Sequence, residues 1–127
     1  MRILFELKII EHFDSAHYLR EYAGKCKNVH GHTWNIEVVV KGESLNELGL
    51  LIDFTELKKV VKGLIKPFDH QLINEIPPFD KINPTSENLA RYFYYEIKKV
   101  LADRPKLAVS RVRVSESQST AASYYEE

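Results

Sequence analysis

The sequence predicts an α+β fold, a four-stranded antiparallel sheet with two helices on one face, in the order strand, strand, helix, helix, strand, strand. Apolar residues alternate with polar ones over the first third of the chain and again near its end, whereas residues 53–101 show helical spacing. Two helices can cover only one face of such a sheet. We therefore expect another copy of the chain to cover the opposite face.

The first two strands are predicted by their period of two. Residues 2–13 alternate loosely, and residues 18–29, with Gly24 and several charges, indicate a loop. A second strand begins at about Thr33 and ends at Lys41-Gly42-Glu43. Its apolar side is formed by Trp34, Ile36, Val38 and Val40. We expect the two strands to pair antiparallel.

The two helices are predicted by caps and by apolar spacing. Asp53 is a candidate N-cap, Glu56 would complete a capping box, and Pro67 should end the helix. The second helix opens within Asn83-Pro84-Thr85-Ser86 and is limited by Pro105. Its apolar stripe consists of Leu89, Phe93, Ile97, Val100 and Leu101.

Two short segments complete the predicted sheet. Residues 107–115 indicate a third strand, but Val109 and Val112 would fall on opposite faces of a regular strand, so its phase stays open. Residues 121–125 are the candidate fourth strand.

Composition excludes several classes of protein. A chain of 127 residues is expected to form a single domain, 1–127, and its formal net charge of zero gives no field for nucleic acid or an anionic membrane. A single cysteine forms no intrachain disulfide, and no apolar run reaches membrane-spanning length. We expect a soluble, cytoplasmic protein.

Three histidines form the candidate metal site. His30 and His32 are two residues apart and share one face of an extended chain. His17 reaches the same point if the flanking segments pair as a hairpin. Three imidazoles without a thiolate suit zinc and leave a fourth position open for chemistry. His12 has the opposite phase and is interpreted as an ordinary histidine.

Several segments, in order along nearly the whole chain, resemble the 6-pyruvoyltetrahydropterin synthase family. They are Phe13-Asp14-Ser15-Ala16-His17, Cys26-Lys27-Asn28-Val29-His30-Gly31-His32, Ile52-Asp53-Phe54, Phe68-Asp69-His70-Gln71-Leu72-Ile73-Asn74, Asn83-Pro84-Thr85-Ser86-Glu87-Asn88 and Val112-Arg113-Val114-Ser115-Glu116. The resemblance implies the tunnelling fold (T-fold), with trimers paired into hexamers. It also implies that His17, His30 and His32 bind zinc.

The resemblance also implies a reaction. The three residues between Cys26 and His30-Gly31-His32 are similar to the bacterial 6-carboxytetrahydropterin synthase branch of the family, which belongs to queuosine biosynthesis. The implied substrate is 7,8-dihydroneopterin triphosphate, and the implied products are 6-carboxytetrahydropterin, acetaldehyde and triphosphate. The alternatives are 6-pyruvoyltetrahydropterin synthesis, a simple zinc hydrolase, and a non-catalytic pterin-binding or zinc-storing protein.

Roles for single residues follow from their chemistry and from the resemblance together. Cys26 is the candidate base, because a nearby cation lowers the pKa of a thiol towards neutrality, and Asp69 and His70 would complete a proton relay. Glu116 continues the apolar side of the third strand, and one carboxylate can accept both N–H groups of a pterin.

The remaining substrate contacts are assigned less directly. The segment Thr85-Ser86-Glu87 resembles the one that adds hydrogen bonds to the pterin, although a helix cap explains it equally well. The candidates for triphosphate contacts are Arg20, Lys25 and Lys27.

Overall fold

The computed structural model describes residues 2, 4–21 and 28–127. It confirms the predicted order and the α+β class. The sheet has the order β1-β2-β3-β4 with antiparallel neighbours. The elements are β1 (Phe5–His17), β2 (His30–Gly42), α1 (Phe54–Ile65), α2 (Ser86–Val100), β3 (Ala108–Ser115) and β4 (Ala122–Tyr124). The first strand thus runs four residues beyond the predicted end at residue 13, and it includes His17.

The pairing of β1 with β2 decides which side chains face the helices. His17 lies opposite His30, and Phe5 lies opposite Gly42. Odd positions of β1 and even positions of β2 are therefore on the helix side, where the buried core forms one cluster. Its largest fully buried side chains include Trp34 and Phe13, whose rings stack.

Both α-helices begin at side-chain caps. Asp53 Oδ1 accepts the N–H of Thr55 at 2.7 Å, and Thr85 Oγ1 accepts the N–H of Asn88 at 3.0 Å. The predicted capping box is wrong in its second half, because the Glu56 carboxylate pairs with Arg104 instead. Pro67 lies in the 3₁₀ turn that follows α1, so the predicted helix end is confirmed.

An irregularity in β3 resolves the open phase of that strand. The β2–β3 register shifts between Val39 and Val40, which pair with Arg111 and Val109, so Ser110 is an extra residue. This bulge turns both Val109 and Val112 into the core. The apolar stripe of α2 is wrong at one position, since Val100 is 45% exposed at the end of the helix.

The opposite face of the sheet is mostly charged. It presents Glu6, Lys8, His12, Glu37, Arg111 and Arg113, together with the half-exposed Ile10. Over residues 2, 4–21 and 28–127, no helix or strand of the same chain packs on this face. In the same ranges, no helix is long and apolar enough to cross a membrane.

Candidate metal centre and active site

The three predicted histidines meet at one end of the sheet, on the helix side. His17 is the last residue of β1, and His30 and His32 begin β2, so the hairpin pairing needed to unite them is confirmed. Ring centroids are 4.7 Å apart for His17 and His30, 5.2 Å for His17 and His32, and 4.7 Å for His30 and His32.

Backbone carbonyls orient two of these rings. His17 Nδ1 lies 2.8 Å from the Pro84 carbonyl oxygen, and His30 Nδ1 lies 2.7 Å from that of Asn28. A carbonyl oxygen only accepts, so Nδ1 carries the hydrogen in each ring and Nε2 keeps its lone pair. This is the arrangement in which a second partner fixes the tautomer of a metal-binding histidine.

The buried Trp34 indole packs against the histidines from the core side. Trp34 meets the rings of His17 and His32 edge to face at 4.8 and 5.5 Å, and its Nε1 donates to the Ser15 carbonyl at 3.2 Å. Burial lowers the pKa of the His17 imidazole and also lowers the pKa of His32. Both rings therefore favour the neutral form, which is the form that binds a metal.

The residues present fit a divalent metal ion. Among the described residues, the Nε2 atoms of His17 and His32 are buried without a hydrogen-bond partner. Burying such a polar atom costs free energy unless its lone pair binds a metal ion or another partner. One ligand atom from each of His17, His30, His32 and Glu116 lies within 4.8 Å of the others. Three imidazoles and one carboxylate oxygen form a donor set that zinc accepts.

Asp69 and His70 form the second polar group of the site. Asp69 Oδ2 lies 3.0 Å from His70 Nδ1, so adjacent residues do interact through their side chains. The contact is possible because His70 has a positive φ of 58° at the turn after the 3₁₀ segment. The Asp14 N–H donates to Asp69 Oδ1 at 3.0 Å, and this bond above all holds the pKa of Asp69 below its usual value.

The turn that carries this pair is attached to the outer edge of β1. The His70 N–H donates to the Asp14 carbonyl at 2.6 Å, and the Ala16 N–H donates to that of Gln71 at 3.0 Å. A parallel bridge joins Ala16 to Leu72. These backbone bonds place His70 beside the end of β1 that carries His17.

An open depression of about 570 Å³ joins the two polar groups. His32 and His70 both line it, together with backbone and side chains from the ends of β1 and β2. A metal ligand and a candidate proton-transfer group thus open onto the same space, which is the requirement for both to act on one small molecule.

The predicted substrate contacts lie next to the histidines. Thr85 caps α2, Ser86 begins it and Glu87 is in its first turn, directly after the Pro84 carbonyl that holds His17. Glu116 follows β3 and reaches the histidines. The candidate base Cys26 and the candidate triphosphate contacts Lys25 and Lys27 lie outside the described residues.

Arg20, the third candidate for a triphosphate contact, already binds the protein itself. Its guanidinium donates to the carbonyls of Asn74, Phe79 and Ile82 at 3.1, 2.8 and 3.2 Å. The Asn83 side chain also pairs with both backbone groups of Arg20, at 2.9 and 3.1 Å. Sequence reasoning missed this attachment, since a set of carbonyl partners leaves no residue pattern.

The conservative change Arg20→Lys is expected to lower the free energy of unfolding by about 1–3 kcal/mol, because an ammonium group cannot serve three carbonyls in fork geometry. Urea unfolding measures it. The control is Arg91→Lys, an exposed position bonded to one side-chain oxygen, where the change should stay within about 0.5 kcal/mol. Unchanged stability with a raised KM for a triphosphate substrate would instead support the phosphate role.

Comparison with known proteins identifies the family. A family model described as 6-pyruvoyl tetrahydropterin synthase matches residues 6–127. The chain belongs to this family. Among solved structures, 6-pyruvoyl tetrahydropterin synthase of Caenorhabditis elegans superposes on this family member with a TM-score of 0.85 over 99% of this chain and 98% of that chain, at 24% identity. The predicted T-fold is therefore confirmed.

Two relatives of this pterin synthase family member are more similar in sequence. A Bacillus subtilis protein named 6-carboxy-5,6,7,8-tetrahydropterin synthase is 37% identical over 102 residues, which are 76% of this chain and 68% of that protein. A Pyrococcus furiosus protein named dihydroneopterin monophosphate aldolase is 41% identical over 95 residues, 75% of this chain and 76% of that protein. The first name recurs among relatives from several species, and these relatives identify the chain as an enzyme.

Proposed function

We propose that the protein converts 7,8-dihydroneopterin triphosphate and one water molecule to 6-carboxytetrahydropterin, acetaldehyde and triphosphate, as a zinc-dependent lyase of queuosine biosynthesis in the cytoplasm. The observation that carries the proposal is the depression lined both by His32, one of three clustered histidines, and by His70, in a chain of this family. The relatives named 6-carboxy-5,6,7,8-tetrahydropterin synthase support this branch.

The histidines supply the metal-binding part of the mechanism. His17, His30 and His32 would hold the ion through Nε2, and the open position would receive hydroxyl groups of the substrate side chain. Bound zinc acidifies such a hydroxyl and stabilises the negative charge that develops on it. The buried Trp34 indole excludes water from the core side of the histidines, which strengthens these electrostatic interactions.

Proton transfer falls to Cys26, Asp69 and His70 in this proposal. Reactions next to hydroxyl and carbonyl groups need a proton removed at one carbon and returned at another. The Asp69 carboxylate at His70 Nδ1 orients the ring and leaves Nε2 to exchange a proton. Cys26 is the proposed partner base in this relay.

Pterin recognition is assigned to Glu116 and to the start of α2. The carboxylate can accept two parallel hydrogen bonds from the pterin amino group and ring N–H. Thr85, Ser86 and Glu87 begin α2, one residue after the carbonyl that holds His17, and so add polar groups within reach of the same ligand.

We further propose a homohexamer, built as a dimer of trimers around a single 1–127 domain. The charged sheet face without a covering element in the described chain and the position of β4 at the end of the sheet support assembly. Sedimentation of the metal-loaded protein measures the mass, and a monomer would contradict the proposal.

The reaction itself is tested by incubating zinc-loaded protein with dihydroneopterin triphosphate and identifying the products by mass spectrometry. We expect a carboxylated tetrahydropterin and free acetaldehyde, and we expect both to disappear with Cys26→Ala. A pyruvoyl product would instead assign the chain to the 6-pyruvoyltetrahydropterin synthase branch. Full turnover by Cys26→Ala would remove Cys26 from the relay.

The Pyrococcus furiosus relative supports a second candidate, aldol cleavage of dihydroneopterin monophosphate. The same three histidines and the same relay could break the bond between the first two side-chain carbons and release a phosphorylated two-carbon aldehyde. Parallel assays with monophosphate and triphosphate distinguish the two. Turnover of the monophosphate alone would favour the aldolase.

A further inference from the structure

The Glu116 carboxylate lies at an unexpected place for a group assigned to the pterin. Its Oε2 atom is 3.3 Å from His17 Nε2 and also 3.3 Å from His32 Nε2. The side chain is one-third exposed and sits at the mouth of the histidine cluster. Glu116 thus approaches the same two nitrogen atoms that are buried without a hydrogen-bond partner among the described residues.

A hydrogen bond does not account for this approach. The hydrogen of the neutral His17 ring is on Nδ1, where it is donated to the Pro84 carbonyl. His17 Nε2 and Glu116 Oε2 therefore face each other with lone pairs, and two acceptors at 3.3 Å repel unless a cation lies between them. The arrangement is the one that a shared positive ion produces.

The distances agree with a four-coordinate ion. Zinc binds histidine nitrogen and carboxylate oxygen at about 2.0–2.1 Å, and a tetrahedron with such bonds separates its ligand atoms by about 3.3–3.4 Å. Glu116 Oε2 has this separation from two of the three histidines. A carboxylate oxygen that is not placed as a ligand would not be expected to have this separation from both nitrogen atoms.

We propose that Glu116 is the fourth ligand of the metal before substrate binds, so that the resting centre is closed by three histidines and one carboxylate. This inference rests on the metal of the proposed function. When substrate enters, its hydroxyl groups replace Glu116, and the released carboxylate becomes available to the pterin. The Glu116 side chain thereby couples recognition of the pterin ring to the opening of the fourth coordination position.

Metal affinity and access of a small external ligand test the inference together. Glu116→Ala and Glu116→Gln, which keeps the side-chain volume, are compared with Glu47→Gln, the same change at an exposed turn between β2 and α1. Chelator competition measures the zinc dissociation constant. Titration of the cobalt-substituted protein with azide, followed by visible absorption, measures access to the fourth position.

We expect both Glu116 variants to bind zinc about tenfold or more weakly, in the range known for lost metal-site partners, and to bind azide about tenfold or more tightly. Glu47→Gln should change neither constant by more than about twofold. A general loss of structure would weaken both metal and azide binding, so opposed changes cannot result from unfolding.

Equal zinc and azide constants in wild type and both Glu116 variants would overturn the inference, whatever the activity. Absence of zinc from the wild-type protein would overturn it together with the zinc dependence of the proposed function. If the Glu116 variants show the opposed changes but the wild-type protein turns over neither pterin, the result would contradict the proposed function alone.

Discussion

His32→Ala is expected to remove the metal and to lower turnover by about 10³-fold. His32 contributes one of three imidazole nitrogens, and loss of a ligand costs more than the roughly 10- to 100-fold in affinity lost with a supporting residue. The rate loss corresponds to about 4 kcal/mol of transition-state stabilisation, of the size attributed to a metal that neutralises developing charge. Metal content and product formation are measured on the same sample.

His32 is a better choice than His17 for this test. The His32 side chain is 24% exposed, whereas that of His17 is 4% exposed, packs on Trp34 and holds the Pro84 carbonyl, so its removal would disturb the core as well. Lys59→Ala is the control, because Lys59 is an exposed residue of α1 with no assigned role in the site. Full metal content and turnover in His32→Ala would contradict the three-histidine centre.

His70→Asn is expected to lower turnover by about 10²- to 10⁴-fold while metal content stays unchanged. The range is that of a lost general acid or base. Asparagine is chosen because position 70 has a positive φ, which asparagine tolerates better than alanine does. Steady-state kinetics and metal analysis are compared with those of Lys59→Ala, an exposed position of α1, which should match wild type in both.

The Asp69 partner adds a pH criterion to this prediction. The pKa of Asp69 is lowered, first by the Asp14 N–H and then by His70, so the carboxylate is already ionised at its ordinary pKa and above. It therefore stays ionised across the range near neutrality, and its own titration should not appear in the pH profile there. Loss of metal from His70→Asn, or wild-type turnover in that variant, would contradict the assigned role.

The elements that were predictable are those fixed by local pattern. Alternation and helical spacing depend on neighbours two to four positions away, so the two long strands, both helices and the common face of His30 and His32 follow from the sequence. Asp53 and Thr85 were recognisable as caps because a cap acts within three residues.

What the sequence did not predict depends on contacts between distant segments. The bulge at Ser110 arises from pairing with β2, and it alone explains how Val109 and Val112 are both buried. Glu56 binds Arg104 in preference to its own helix end, and Arg20 binds carbonyls 54 to 62 residues away. Such partners are selected by the assembled fold.

Strand alignment and ion binding are thermodynamically linked through the pairing of His17 with His30. Because side chains alternate along β1, a slip of one residue against β2 would turn His17 to the charged face and leave only two imidazoles together. An ion that binds only the native alignment stabilises it by RT ln(1 + [M]/Kd) over every slipped alternative. A metal ion bound by these histidines would thus favour the one hairpin register in which the core is buried.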